Sequence, residues 1–404
     1  MRIGLFTDTY YPEVNGVANS VFQLKTELEN RGNQVYVFTV ANPLVKENEE
    51  HVYRMKSIEC PLLKERRMSY ATFYRWFDVI KSLNLDIIHT NTEFMVGHIG
   101  RRAARKLQIP LVHTYHTIYE DYTHYLKVPG NSRLKGIIRG ISCICCDHAD
   151  RVIAPTDKVK NLLLSYGVKK QITVQPTGII IYKFNNVSEG EVNRIKETYN
   201  IKADDHVLIS IGRLSEEKNL GEIVDFMNEL VLRDNNAKLL IVGDGPEKSK
   251  LESKVESNNL TEHVYFTGEV DWKEIQNYYS AGDVFVSAST SETQGLTYAE
   301  ALACGKPLLV RHDECLDNLL LERKNGYSYQ NEDEFFASYT KLFENNLYKE
   351  MEPDVRQSVK KLSAEAFGAN IEEIYRQLCK ENESLRLCER QGENQNRIKD
   401  LIIN

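Results

Sequence analysis

The stretch Val284-Phe285-Val286-Ser287-Ala288-Ser289-Thr290-Ser291-Glu292-Thr293-Gln294-Gly295-Leu296-Thr297-Tyr298-Ala299-Glu300-Ala301-Leu302-Ala303-Cys304-Gly305-Lys306-Pro307-Leu308-Leu309-Val310 contains one full structural unit of this chain. Val284 to Ser287 is a short, nearly continuous apolar run, the mark of a strand buried on both faces. Gly295 permits a tight turn. Thr297 to Ala303 reads as a helix, Cys304-Gly305 ends it, and Pro307 to Val310 is the next strand. Strand, loop, helix and strand at this spacing predict a right-handed βαβ crossover in a parallel sheet.

The pattern repeats outward. Val207 to Ile211, Ala237 to Val242 and Val264 to Phe266 are further apolar runs with helical stretches between them. The first half shows strands at Arg2 to Phe6, Gln34 to Thr39, Asp86 to His89, Leu111 to Thr114 and Arg151 to Ala154, and an amphipathic helix from about Ala18 to Asn30. The expected fold class is α/β, with two successive doubly wound, Rossmann-like parallel-sheet domains. Pro176-Thr177-Gly178 breaks the pattern, which places a first domain over 1–178 and a second over 179–363. The segment 364–404 reads as an amphipathic helix from about Ala364 to Lys380, expected to cross back to the first domain, followed by a polar tail. Two such domains are expected to face a cleft at the C-terminal ends of their strands, where ligands meet helix N-termini.

The totals narrow the function. The 404 residues suit two or three domains, and 42% hydrophobic with 27% charged residues is a soluble, globular balance. No apolar run approaches the ~18 residues of a membrane span. The opening Met1-Arg2-Ile3-Gly4-Leu5-Phe6-Thr7 reads as a first strand rather than a leader. The eight Cys form no regular framework, so free thiols in a reducing cytosol are expected. A net charge of −7 argues against nucleic acid as a partner. The charge is uneven: residues 1–180 hold 24 Lys and Arg against 17 Asp and Glu, the remainder 27 against 41. A basic first half favours an anionic membrane surface, with drift of surface charge as the plain alternative.

The chemistry-bearing residues sit in loops after strands. Gly295 turns the chain so that the N–H groups near Leu296 and Thr297 open a helix and form an anion site suited to a diphosphate. Gln294 lies in the same turn. Glu300, one turn in, can accept two ribose hydroxyls, and Glu292, before the turn, falls where a sugar would sit. In Gly212-Arg213-Leu214-Ser215-Glu216-Glu217-Lys218-Asn219, the cations Arg213 and Lys218 can neutralise the charge developing on a departing nucleoside diphosphate. Asn15, Gly16 and Val17 follow the first strand and offer backbone N–H groups to the diphosphate or the sugar. Gly268 and Val270 follow Phe266, where backbone can meet a nucleobase edge. In His113-Thr114-Tyr115-His116-Thr117, a strand-end His can hydrogen-bond a sugar hydroxyl. Tyr119, Glu120, Asp121 and Tyr122 come next and could shape an acceptor site.

Other clusters read as structural. His113 and His116 have no third ligand nearby, and Cys143, Cys145 and Cys146 lack zinc spacing, so no metal site is expected. Arg101, Arg102, Arg105 and Lys106 read as a solvated helix face. Leu134, Ile137, Ile138, Ile141, Ile144 and Cys145 recur at helical spacing with Arg133, Lys135 and Arg139 between them, a pattern open to a core-facing or a membrane-interfacial helix.

These motifs, in this order from residue 1 to about 380, resemble the retaining GT-B glycosyltransferases of family 4. The resemblance implies metal-independent transfer with retention at the anomeric carbon. It implies ribose on Glu300, the sugar ring on Glu292, diphosphate on Arg213 and Lys218, and His116 beside the sugar. Gly4-Leu5-Phe6-Thr7-Asp8-Thr9-Tyr10, the run from His113 to Tyr125 and Ser289 to Thr297 are similar to the bacterial diacylglycerol glucosyltransferases, peripheral membrane enzymes that move glucose from UDP-glucose to 1,2-diacylglycerol. That implies UDP-glucose and diacylglycerol as substrates, an anionic inner leaflet as a partner, and no cofactor. Ile180 stands where such relatives usually have Asp after Pro176-Thr177-Gly178-Ile179, and no role is carried there. The tail is acidic, so membrane attachment would rest on the basic first domain or be weaker. Competing readings are a polysaccharide or polyprenyl-linked sugar acceptor, a UDP-sugar 2-epimerase of the same fold, and a catalytically silent binding protein.

Overall fold

A computed structural model describes residues 1–13, 15–46, 49–60, 66–120 and 131–403, with the side chains of 131–132 and 388–403 left aside. The chain divides into two compact units, Met1–Gly178 with Glu365–Asn404, and Ile179–Ala364.

The strands of the first unit are β1 (Arg2–Phe6), β2 (Gln34–Val40), β3 (Val52–Met55), β4 (Ser57–Glu59), β5 (Arg67–Ser69), β6 (Ile87–Thr90), β7 (Leu111–Thr114), β8 (Arg151–Ala154) and β9 (Ile172–Val174). Its helices are α1 (Gly16–Asn30), α2 (Phe73–Ser82), α3 (Met95–Leu107), α4 (Asn131–Asp147) and α5 (Asp157–Tyr166). The main sheet runs β3-β2-β1-β6-β7-β8-β9, parallel throughout. The pair β4 and β5 forms a small antiparallel ribbon. Alternation along the strands sends Ile3, Leu5, Val37, Ile87 and Ile153 to one core and Phe6, Phe38, Ile88, Val152 and Ala154 to the other.

The last helix of the chain covers the first of those cores. It runs Ala364–Ile403, well past the Lys380 end expected from sequence. Phe367, Ile371, Tyr375 and Leu378 recur on one stripe and join the core of Ile3, Leu5 and Val21. Beyond Lys380, in the stretch read from sequence as a polar tail, Asn382 and Arg386 still donate to backbone carbonyls at Leu107 and Gln108. The buried Glu372 accepts from Arg31 (2.5 Å), Asn33 (3.0 Å) and Arg376 (2.7 Å).

The second unit carries β10 (His206–Ile211), β11 (Ala237–Val242), β12 (Val264–Phe266), β13 (Val284–Ser287), β14 (Leu308–Arg311) and β15 (Gly326–Tyr329). Its helices are α6 (Ile181–Asn185), α7 (Glu189–Thr198), α8 (Leu220–Arg233), α9 (Lys248–Ser257), α10 (Ile275–Ala281), α11 (Leu296–Ala303), α12 (Glu332–Phe343), α13 (Leu347–Glu350) and α14 (Glu352–Ser358); the helix that closes the first unit is α15. The sheet order β12-β11-β10-β13-β14-β15 reverses direction of winding between β10 and β13, the switch point where a doubly wound sheet opens a crevice. The seven cysteines with described side chains are free thiols.

Burial alone would raise the Glu372 carboxyl from 4.5, but the hydrogen bonds from Asn33, Arg31 and Arg376 outweigh it and hold it down to about 2. A folded-state value below the unfolded one stabilises fully above the unfolded value and is lost as pH falls through the folded one. Glu372→Gln should therefore cost about 2 kcal/mol at neutral pH, a difference that closes as the pH drops from 4.5 toward 2. Each unit has one tryptophan, Trp76 and Trp272. Urea unfolding of a Trp272→Phe background, followed by Trp76 fluorescence, reports the first unit alone. An equal gap between Glu372→Gln and its parent at all pH values would rule this account out.

Candidate active site

In the second unit the two strongest sequence motifs leave neighbouring strands on either side of the switch point. The chain after β10 passes through Gly212 and Arg213 into a 3₁₀ turn at Glu216–Lys218. The chain after β13 reaches Glu292 and turns at Gly295. The two loops are tied together: Lys218 Nζ lies 2.5 Å from Glu292 Oε1, and the Ser289 hydroxyl donates to the Glu217 carbonyl at 3.3 Å. A cavity is lined by Gly212, Arg213, Lys218, Glu292 and Thr297, so four residues singled out from sequence share one space with the first turn of α11. A diphosphate there would meet the Arg213 and Lys218 cations and compete with Glu292 for the latter.

Gly295 caps α11 in the left-handed region, with φ +71°, and a Cβ there would stand 2.4 Å from the Tyr298 ring. The turn exposes the Leu296 and Thr297 amides at the helix start, where an anion is stabilised. Gln294 is buried beside the turn. Glu300 is buried one turn in and accepts from the Tyr279 hydroxyl at 2.8 Å. Burial raises its pKa, against the pull of Tyr279 and Lys183. Burial likewise lowers the Lys183 ammonium, which Glu300 partly restores. Lys183 also donates to the Trp272 carbonyl. Tyr279 and Lys183 were missed from sequence: a Tyr inside a helix and a lone Lys carry no local signal. The Gly268 carbonyl, expected to be open to a base, is already engaged by the Gly243 N–H at 2.9 Å and the Thr267 hydroxyl at 2.8 Å. Val270 packs against the core.

In the first unit, Asn15 caps α1, its carbonyl oxygen accepting from Ala18 N–H at 3.0 Å and its amide donating to Thr9 at 2.7 Å. Gly16 and Val17 form the first turn behind it. The side chain of Asn15 is therefore committed to the helix and to Thr9, leaving only backbone groups there to meet a ligand. His113, the inward partner of the His pair, is fully buried, 2.9 Å from Thr90 Oγ1 and 3.3 Å from Glu93 Oε1. His116 contacts Asn91 Oδ1 through Nε2 at 3.0 Å. Burial pulls its imidazole down to about 4, against Glu93 and with His113, so the ring is neutral at physiological pH. Tyr119 points its hydroxyl inward to Glu93 at 2.5 Å, and burial drives its pKa well up. Its hydroxyl is thus occupied rather than open to an acceptor. Glu120 pairs with Arg139. Asp121 and Tyr122 lie outside the described residues.

One reading from sequence is corrected here, and one left open is resolved. Arg101 is no solvated side chain: it donates to the Thr92 carbonyl at 3.1 Å and the Glu93 carbonyl at 2.7 Å, fixing the loop after β6. The apolar residues of α4 split between two faces. Cys145 and Cys146 are buried, whereas Ile137 (60%), Ile141 (47%) and Ile144 (58%) are exposed. Asn91 and Glu93, absent from the sequence reading, organise the His cluster.

The chain matches the family model described as Glycosyltransferase Family 4 over residues 14–181 and that described as Glycosyl transferases group 1 over residues 191–361. Two doubly wound units and these matches define a glycosyltransferase of the GT-B class, and the chain belongs to glycosyltransferase family 4. It is 37% identical over 382 residues to the alpha-monoglucosyldiacylglycerol synthase of Streptococcus pneumoniae, covering 93% of this chain and 85% of that one. It is 32% identical over 392 residues to the alpha-monoglucosyldiacylglycerol synthase of Acholeplasma laidlawii, covering 95% and 98%. The crystal structure of Anabaena Alr3699/HepE in complex with UDP-glucose has a TM-score of 0.74 at 17% identity, covering 93% of this chain and 99% of that one. WaaG, a glycosyltransferase involved in lipopolysaccharide biosynthesis, has a TM-score of 0.68 at 14% identity, covering 93% and 99%. Identities this low speak to the fold.

Gly295→Ala should destabilise the second unit by about 1–3 kcal/mol, because the methyl meets a ring and the backbone is held at positive φ. It should also weaken binding of UDP more than tenfold in calorimetry. Unchanged affinity would mean that the α11 turn does not hold the nucleotide.

Proposed function

We propose that this enzyme transfers glucose from UDP-glucose to the sn-3 hydroxyl of 1,2-diacylglycerol, with retention, giving alpha-monoglucosyldiacylglycerol. The observation that carries the reading is the similarity to two synthases of that name over nearly the whole chain. A solved relative of the same fold holding UDP-glucose is consistent with the donor.

In this reading the second unit binds the donor. Glu300 accepts from the ribose hydroxyls, Glu292 from the glucose ring, and Arg213, Lys218 and the α11 amides hold the diphosphate. The bond from the anomeric carbon to the β-phosphate oxygen breaks and its electron pair leaves on UDP. The diacylglycerol oxygen bonds to the same face, and its proton passes to the departing phosphate. Arg213 and Lys218 supply the compensating positive charge, without a metal cofactor. In the first unit, Gly16 and Val17 offer backbone N–H groups, His116 hydrogen-bonds a glucose hydroxyl, and the loop holding Glu120 flanks the acceptor.

The lipid reaches the enzyme from an anionic leaflet on the cytoplasmic side. Among the described residues no helix is long and apolar enough to cross a membrane. The first unit instead offers an exposed stripe of Ile137, Ile141 and Ile144 on α4, flanked by the exposed Arg133. Next to α2, the Arg102 guanidinium lies 4.7 Å from the Phe73 ring centre and 5.3 Å from that of the exposed Tyr74. Apolar and aromatic groups set among cations suit the headgroup region.

The deciding experiment offers labelled UDP-glucose, UDP-galactose and UDP-N-acetylglucosamine with dioleoylglycerol in phosphatidylglycerol vesicles, and identifies the lipid product. Glucosyldiacylglycerol is expected; a water-soluble product, or epimerised UDP-sugar without acceptor, would overturn the proposal. Replacing Ile137, Ile141 and Ile144 together by Ser should lower vesicle binding at least tenfold in flotation, while UDP binding stays unchanged. Because burial raises the Glu300 pKa, its carboxylate protonates, and donor affinity falls, at a pH above the ordinary carboxylate range. Glu300→Gln should raise KM for UDP-glucose roughly 30-fold, about 2 kcal/mol, and flatten that pH dependence.

A further inference from the structure

The loop after β6 places Asn91 against His116, and the chemistry of the contact fixes a proton. A carboxamide oxygen only accepts. With His116 Nε2 at 3.0 Å from Asn91 Oδ1, the imidazole proton sits on Nε2, and Nδ1 keeps its lone pair. Asn91 itself is rigid. It is 3% exposed, and its backbone N–H donates to the Phe6 carbonyl at 2.8 Å. Its Nδ2 is buried and finds no acceptor among the described residues.

We infer that Asn91 is the positioning residue for His116: it holds the neutral Nε2–H tautomer, so that Nδ1 accepts a hydroxyl of the transferred sugar. The inference rests on the proposed role of His116 and deepens it. The groups facing the ring are consistent with a neutral state. Glu93 favours the imidazolium, but burial and His113 oppose it. His89 is itself driven well below its usual range by burial, with His116 and His113 adding to the effect. A neutral carboxamide as the Nε2 partner adds no charge that would tip this balance. A carboxylate there would, by pairing with the imidazolium.

Asn91→Asp keeps the shape and the acceptor oxygen but adds the charge. His116 should then titrate about 1–3 pH units higher, read from the ring nitrogens by NMR of ¹⁵N-histidine-labelled protein. The acid limb of kcat, measured at saturating UDP-glucose with dioleoylglycerol in phosphatidylglycerol vesicles, should move up by the same amount, since the neutral ring is lost at a higher pH. Asn91→Leu should populate both tautomers and lower kcat more than it raises KM for UDP-glucose. An Nδ1–H tautomer in the unaltered protein, or an Asn91→Asp variant whose His116 titration and acid limb do not move, would overturn the inference. His116→Ala separates the two levels. If it retains full kcat, the role given to His116 fails; if it is slow while Asn91→Asp leaves the pH profile unmoved, the inference about Asn91 fails alone.

Discussion

Parallel pairing is the constraint from which the rest follows. When all strands of a sheet run the same way, every loop leaving a strand end emerges at one edge. Residues far apart in the chain then become neighbours without any long excursion of backbone. Lys218 and Glu292 meet across 74 positions because β10 and β13 are adjacent. Asn91 and His116 meet across 25 because β6 and β7 are. In both units the hydrophobic sheet is a jig, and the chemistry is mounted along its edge.

The two edges are electrically different. The second unit gathers Arg213, Lys218 and a helix start around one cavity, with Glu292 as the counter-charge already in place. Such a gathering of cations suits an anion whose charge grows during reaction, as the proposed function requires. The first unit gathers His89, Thr90, His113, Tyr119 and Glu93 in dense packing, where burial keeps imidazoles uncharged. Such a network is suited to directing hydroxyl groups rather than balancing ions. The division suits the proposed reaction, in which the donor carries charge and the acceptor an alcohol.

The central strands were legible because burial on both faces forces an apolar run, as in Leu208-Ile209 or Val284-Phe285-Val286. The strands of the two main sheets that escaped notice, β3, β9 and β15, lie at sheet edges, where Arg54, Thr173 and Ser328 interrupt the run. The strand-end motifs were legible because glycine and charge stand out after an apolar stretch. Asn91 and Glu93 were not, since their meaning comes from residues on the next strand. Tyr279 reaches Glu300 from another helix, which no local pattern reports. The helical spacing of α4 identified a helix but left its direction open, because Ile137 and Ile138 satisfy two faces at once. The helix past Lys380 was hidden by a polar composition that still finds backbone acceptors at Leu107 and Gln108.

The closing helix has a consequence for how the molecule is made. Ile3, Leu5 and Val21 are synthesised more than three hundred residues before Phe367, Ile371, Tyr375 and Leu378, yet the core they form is completed by those four. During translation the second unit can fold as soon as it clears the ribosome, while the first waits with one apolar face uncovered until α15 emerges. The order of synthesis and the order of completion are thus reversed. A nascent chain stalled before residue 367 presents a hydrophobic sheet face to chaperones, or to the very membrane on which the finished enzyme is proposed to work.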